Sequence, residues 1–131
     1  MLPDYLPITI KQGATFRFWF ALNLSGSVLN PTTTGPGYTY GYCQIRDKPN
    51  DEGGVVLLEL TTANGGMALG SFTDGSGATQ SGYLYASPAA TAALVGWGDG
   101  CYEVRIRDAG NTDDICILEG PAVLSPAVAV P

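Results

Sequence analysis

Apolar residues in this chain recur with a period of two, in short runs broken by Gly, Asn, Asp and Pro. Phe16, Phe18, Phe20 and Leu22 fall on one side of their run, with Arg17 and Trp19 on the other. Tyr40, Tyr42, Gln44 and Arg46 alternate with Gly41, Cys43 and Ile45. Tyr102, Val104 and Ile106 alternate with Glu103, Arg105 and Arg107. Successive side chains of a strand point to opposite faces, so each run reads as a half-buried β-strand. Further strands are predicted at Ile8–Gln12, Val55–Thr61, Met67–Thr73, Gly82–Ala86, Asp114–Gly120 and Ala122–Val130. The last contains Pro126, which suits a sheet edge. One helix is expected from Pro88 to Val95, with Ser87 as N-cap and Pro88 at the first helical position. Its length of about two turns makes it depend on tertiary packing. Residues 23–38 and Asp74–Ser81 read as exposed loops. The resulting fold class is all-β: an antiparallel β-sandwich of immunoglobulin-like size with one short helix, a single domain over residues 1–131.

Charge and composition remove several functions. A net charge of −6, with six scattered basic residues, disfavours binding to nucleic acid, which needs clustered Lys and Arg. No run approaches the roughly 20 apolar residues of a membrane helix. The start Met1-Leu2-Pro3-Asp4 has neither a basic nor an apolar leader region, so synthesis and folding in a cytoplasm are expected. There is no His, which excludes Ser-His-Asp and Cys-His catalysis. Three Cys without a C-x-x-C pair make zinc an unfavourable reading. They read as reduced strand residues, with a Cys101–Cys116 cross-strand bridge left open.

Glu59, Glu103 and Glu119 fall at outward strand positions, where solvated carboxylates are expected rather than a glycosidase pair. Asp108, Asn111, Asp113 and Asp114 offer oxygen ligands for calcium, but the same residues are what a hairpin turn uses. The Gly96–Gly100 segment follows a helix instead of opening one, so it reads as a turn and not a phosphate cradle. No enzyme, cofactor or metal is expected. The Tyr38, Tyr40, Tyr42 row and the Tyr83, Tyr85 pair suit either sugar stacking or protein contact. The expected assembly contacts are Trp19, Tyr40, Tyr42, Trp97 and the last strand through Val128.

Several ordered segments carry a family resemblance. They are Ile10-Lys11-Gln12-Gly13-Ala14-Thr15-Phe16, Gly37-Tyr38-Thr39 through Gln44-Ile45-Arg46, and Leu60-Thr61-Thr62-Ala63-Asn64-Gly65. To these are added Ser87 to Leu94, Cys101 to Ile106, and Leu118 to Pro126. Their order resembles the small all-β virion proteins of tailed bacteriophages, akin to the N-terminal domain of baseplate upper proteins and related minor tail or adaptor proteins. The loops at 23–37 and 74–81 are longer than that family's. The resemblance implies a non-enzymatic structural protein, located in the virion and made in the bacterial host cytoplasm. It would form a homo-oligomer against other virion proteins, either tail components or the major capsid protein. Capsid decoration is the alternative role, and a carbohydrate-binding module is a second one.

Overall fold

The computed structural model describes residues 3–24, 26–94 and 98–127. In chain order the elements are β1 (Asp4–Tyr5), β2 (Ile8–Lys11), β3 (Phe16–Phe20), β4 (Asn23–Leu24), β5 (Ser27–Val28), β6 (Tyr38–Arg46), β7 (Val56–Thr61), β8 (Met67–Thr73), β9 (Thr79–Ala86), α1 (Pro88–Ala92), β10 (Asp99–Asp108) and β11 (Asp114–Ser125). A six-stranded sheet runs β1-β11-β10-β6-β7, with β2 also paired to β11. A three-stranded sheet runs β3-β9-β8, and β4 pairs with β5 in a two-residue hairpin. The chain is therefore all-β and sandwich-like, with one short helix.

The alternation seen in the sequence places one core between the sheets. The large sheet supplies Ile8, Ile10, Cys43, Ile45, Leu60, Tyr102, Val104, Ile106, Ala122 and Leu124. The small sheet answers with Phe16, Phe20, Met67, Leu84 and Ala86. Each fully buried aliphatic side chain contributes on the order of 1.5–3 kcal/mol by leaving water. A register shift between Val104 and Arg105 leaves Ile117 as an extra residue on β11. Such a bulge interrupts strict alternation, and Ile117 and Leu118 are both buried in the core.

Several expectations change. The segments 114–120 and 122–130 are not separate strands: β11 is continuous from Asp114 to Ser125. Its outer side is not free either, because β1 and β2 both pair with it in parallel. Pro121, which has no N–H to give, falls between the registers of these two short strands. The edge at the other end of the large sheet is β7, where Val56 is exposed, as is Val55 just before it. The helix is shorter than predicted, ending at Ala92. Its Ser87 cap accepts a hydrogen bond from the Ala90 N–H, and Thr91 is tied to the Ala14 carbonyl.

The 23–38 stretch is not simply an exposed loop. The buried Ser81 hydroxyl accepts from the Leu22 N–H at 2.8 Å and donates to the Leu29 carbonyl at 2.7 Å. Leu22 and Pro31 are buried, and Leu29 packs on the core. Finally, the three cysteines are free. Cys101 lies opposite Pro121, and Cys116 lies opposite Arg105. That register offsets the two thiols by about four strand residues, or roughly 13 Å, far beyond disulfide reach.

Candidate functional site

The outer faces of the two sheets carry the side chains that the core does not use. On the small sheet, β3 pairs with β9 so that Arg17 faces Tyr85 and Trp19 faces Tyr83. Trp19 meets Tyr83 edge-on at 5.0 Å between ring centroids, and Phe72 of β8 meets the same tyrosine at 5.4 Å. The Arg17 guanidinium lies 4.9 Å from the Tyr83 ring centre and 5.1 Å from that of Tyr85. The result is a continuous aromatic strip with one cation laid across it. Edge-on aromatic pairs and exposed cation–π contacts each add about 0.5–1.5 kcal/mol. They also hold the strip rigid, so little side-chain entropy is left to lose when it is covered.

The outer face of the large sheet is polar. Tyr40 and Tyr42 lie side by side on β6, and Arg107 of β10 stacks over Tyr40 at 4.2 Å. The Tyr42 hydroxyl donates to Asp114 at 2.8 Å. Burial first, then that bond, pushes its pKa up to about 12. Tyr38 leaves the row: it packs against the core and donates to Asp113. Its pKa also rises to about 12, through that hydrogen bond first and burial second.

Further along the same face is a trough of about 800 Å³. Its floor comes from β6, β10 and β11, and Tyr5 with the Pro49–Asp51 turn also lines it. Across the ladder, Glu59, Gln44, Glu103, Glu119 and Tyr5 occupy one transverse row. Gln44 donates to Glu59 at 2.9 Å, and Arg46 donates to both Gln44 and the Gly54 carbonyl at 2.7 Å. Arg105 bonds Glu103 and reaches Asp114 at 3.5 Å. The close bond to Glu103 is the main reason the Arg105 pKa is raised.

Metal-ligating chemistry has one meeting point among the described residues. One ligand atom each from Glu103, Cys116 and Glu119 lies within 4.8 Å of the others. The Cys116 thiol is pushed up to about 11, by burial first and then by the two carboxylates, so it remains protonated near neutral pH. Arg105 pairs with Glu103 of the facing Glu103–Glu119 pair. Of the calcium candidates, Asp108, Asp113 and Asp114 have carboxylates engaged by the protein. Asp108 accepts from the Thr112 hydroxyl and from the Thr112 and Asp113 N–H groups, closing the β10–β11 hairpin.

The expected contacts are thus divided. Trp19 is on the small sheet, and Tyr40 and Tyr42 are on the opposite outer face. Trp97 and Val128 lie outside the described residues. Arg17 was legible as Trp19's neighbour on the same strand face. Phe72 and Tyr5 were not, because their positions depend on which strands pair and in what register. Comparison with protein families finds no match, and comparison with curated proteins finds no significant one. Among the described residues no helix is long and apolar enough to cross a membrane.

Proposed function

We propose that this chain is a structural protein of a tailed-bacteriophage virion, assembling as a homo-oligomer on the tail or baseplate through its β-sandwich faces. The observation that carries the reading is the Arg17–Trp19–Phe72–Tyr83–Tyr85 strip. Trp, Tyr and Arg are the residues that dominate binding energy at protein interfaces, and here they form one prearranged surface. The ordered segments that resemble phage virion proteins give this surface its context. A charged fraction of only 14% also suits a surface covered by neighbours. The open β7 edge, with Val55 61% exposed, offers a second place for a neighbouring chain.

Capsid decoration would use the same surface on a different lattice. Co-sedimentation separates the two. The purified chain is mixed with phage tails, and separately with capsids stripped of their accessory proteins. Pelleting with tails is the expected outcome. Pelleting with capsids alone would move the protein to the head, and pelleting with neither would overturn the virion role.

A further inference from the structure

We infer that the trough on the outer face of the large sheet is a binding site for a neutral oligosaccharide. The inference does not depend on the virion role, and it uses the face opposite the aromatic strip. It rests on shape, on fixed polar groups and on one exposed ring.

The volume of about 800 Å³ falls within the range of small-molecule sites and accommodates more than a single sugar ring. The floor is a rigid surface. β10 is paired on both sides, and Tyr102 and Val104 are buried beneath the outward side chains. Those outward side chains are locked by one another: Arg46 by Gln44 and Gly54, Gln44 by Glu59, and Arg105 by Glu103 and Asp114. Donors and acceptors held in place before a ligand arrives lose little entropy on binding.

The sign of the charge then selects the ligand. Two guanidinium groups and three carboxylates line the trough: Arg46, Arg105, Asp51, Glu103 and Glu119. With the Arg105–Glu103 pair satisfied internally, Arg46 is left with Asp51 and Glu119, so the lining is slightly negative and disfavours an anionic ligand. Phosphate or sulfate would meet the carboxylates. A ligand that both donates and accepts at closely spaced points fits the mixture, and vicinal hydroxyl groups do this. Glu119 makes no ion pair among the described residues, leaving its oxygens able to accept from such hydroxyls.

Tyr5 supplies the apolar component. Its side chain is exposed in a residue 72% open to water, yet its backbone is fixed by pairing with Glu119. The Leu6 N–H adds a 2.9 Å bond to the Glu119 carbonyl, and the Tyr102 hydroxyl donates to the Leu6 carbonyl at 2.8 Å. An exposed aromatic ring on a fixed backbone at the side of a polar trough is suited to the C–H face of a sugar ring. The tyrosine row first considered for sugar stacking is partly spent, with Tyr38 bonded to Asp113 and Tyr40 beneath Arg107. Tyr42 lines the trough itself.

The test begins with a printed array of neutral glycans, probed with the full-length chain. Any glycan bound is then titrated by calorimetry against wild type, Tyr5→Ala, Gln44→Ala and Thr73→Ala, the last an exposed position on the small sheet. Binding by wild type is expected, with Tyr5→Ala and Gln44→Ala each about tenfold weaker, the equivalent of one good contact. Thr73→Ala should bind as wild type does. Melting temperatures show whether each variant is folded, and Glu119→Gln provides a further floor substitution if Gln44→Ala is not. No binding anywhere on the array would overturn the inference, as would full binding by both Tyr5→Ala and the folded floor variant. A salt-sensitive preference for a lysine-rich peptide that blocks glycan binding would reassign the trough to a cationic partner.

Discussion

Gly82 faces the Phe20 ring across the β3–β9 ladder, and there is no room for a side chain between them. An added Cβ would lie 2.3 Å from the Ala68 carbonyl oxygen and 2.7 Å from the ring. The first contact is with backbone and cannot rotate away. Gly82→Ala is therefore expected to lower stability by about 1–3 kcal/mol, the usual range for overpacking. Urea denaturation checks this against Gly98→Ala, whose Cβ would meet nothing within 4 Å among the described residues. Equal midpoints for the two variants would contradict the packing argument. The partner of Gly82 was not readable from the sequence. A glycine within a strand signals close approach in general, but its neighbour is known only once the register is set. By contrast, the burial of Phe16, Phe20, Val104 and Ile106 followed directly from alternation.

At the scale of elements, two hairpin turns are organised by single carboxylates. Asp74 accepts from the Ser76 hydroxyl and N–H, the Ala78 N–H and the Gln80 amide. These bonds, led by the Ser76 hydroxyl and Gln80, hold its pKa at about 2. Asp108 is lowered too, first by the Thr112 hydroxyl and then by the Asp113 N–H. Both folded values lie below the roughly 3.9 of an unfolded Asp. Their stabilisation is therefore present above about pH 4 and is lost as pH falls through the folded values. Thermal melts from pH 7 to pH 2 should show a plateau followed by a decline. The double variant Asp74→Asn, Asp108→Asn should start lower at pH 7 and lose less on acidification. An acid slope identical to wild type would place the acid sensitivity elsewhere.

These turns were legible as turns, because Asp, Gly, Ser and Asn mark them. The course of β11 was not. The Gly120-Pro121 pair reads as a break, yet the strand continues because its outer neighbour changes there from β1 to β2. Leu6 also passes so close that a Cβ on residue 120 would lie 2.3 Å from its carbonyl oxygen. The same pairing covers the edge that the sequence left open near residue 122; β7 is the edge at the other end of the sheet.

For the whole molecule, the sandwich separates two kinds of surface. The small sheet presents aromatic rings and one arginine; the large sheet presents a polar trough of mixed charge, with Arg105 paired to Glu103. Strand alternation made the outward positions legible one strand at a time. It did not show that Arg17, Trp19, Phe72 and Tyr83 meet, since that follows from the order β3-β9-β8. Nor did it show that Glu103 and Glu119 share a row with Tyr5, which depends on a parallel strand at the sheet edge.

The central claim is that the aromatic strip exists to be covered by another chain. Beyond the burial of its half-covered ring, Trp19 supports the fold through contacts with Tyr83, Phe72 and Arg17, about 0.5–1.5 kcal/mol for each such pair. At an interface, a central Trp is worth about 2 kcal/mol or more. Light scattering coupled to size-exclusion chromatography on wild type and Trp19→Ala, with melting temperatures alongside, tests the claim most directly. The expected result is an oligomer for wild type, dissociation for Trp19→Ala, and at most a small drop in the monomer's melting temperature. An unchanged oligomer with a markedly lowered melting temperature would contradict it and make Trp19 a residue of the fold alone.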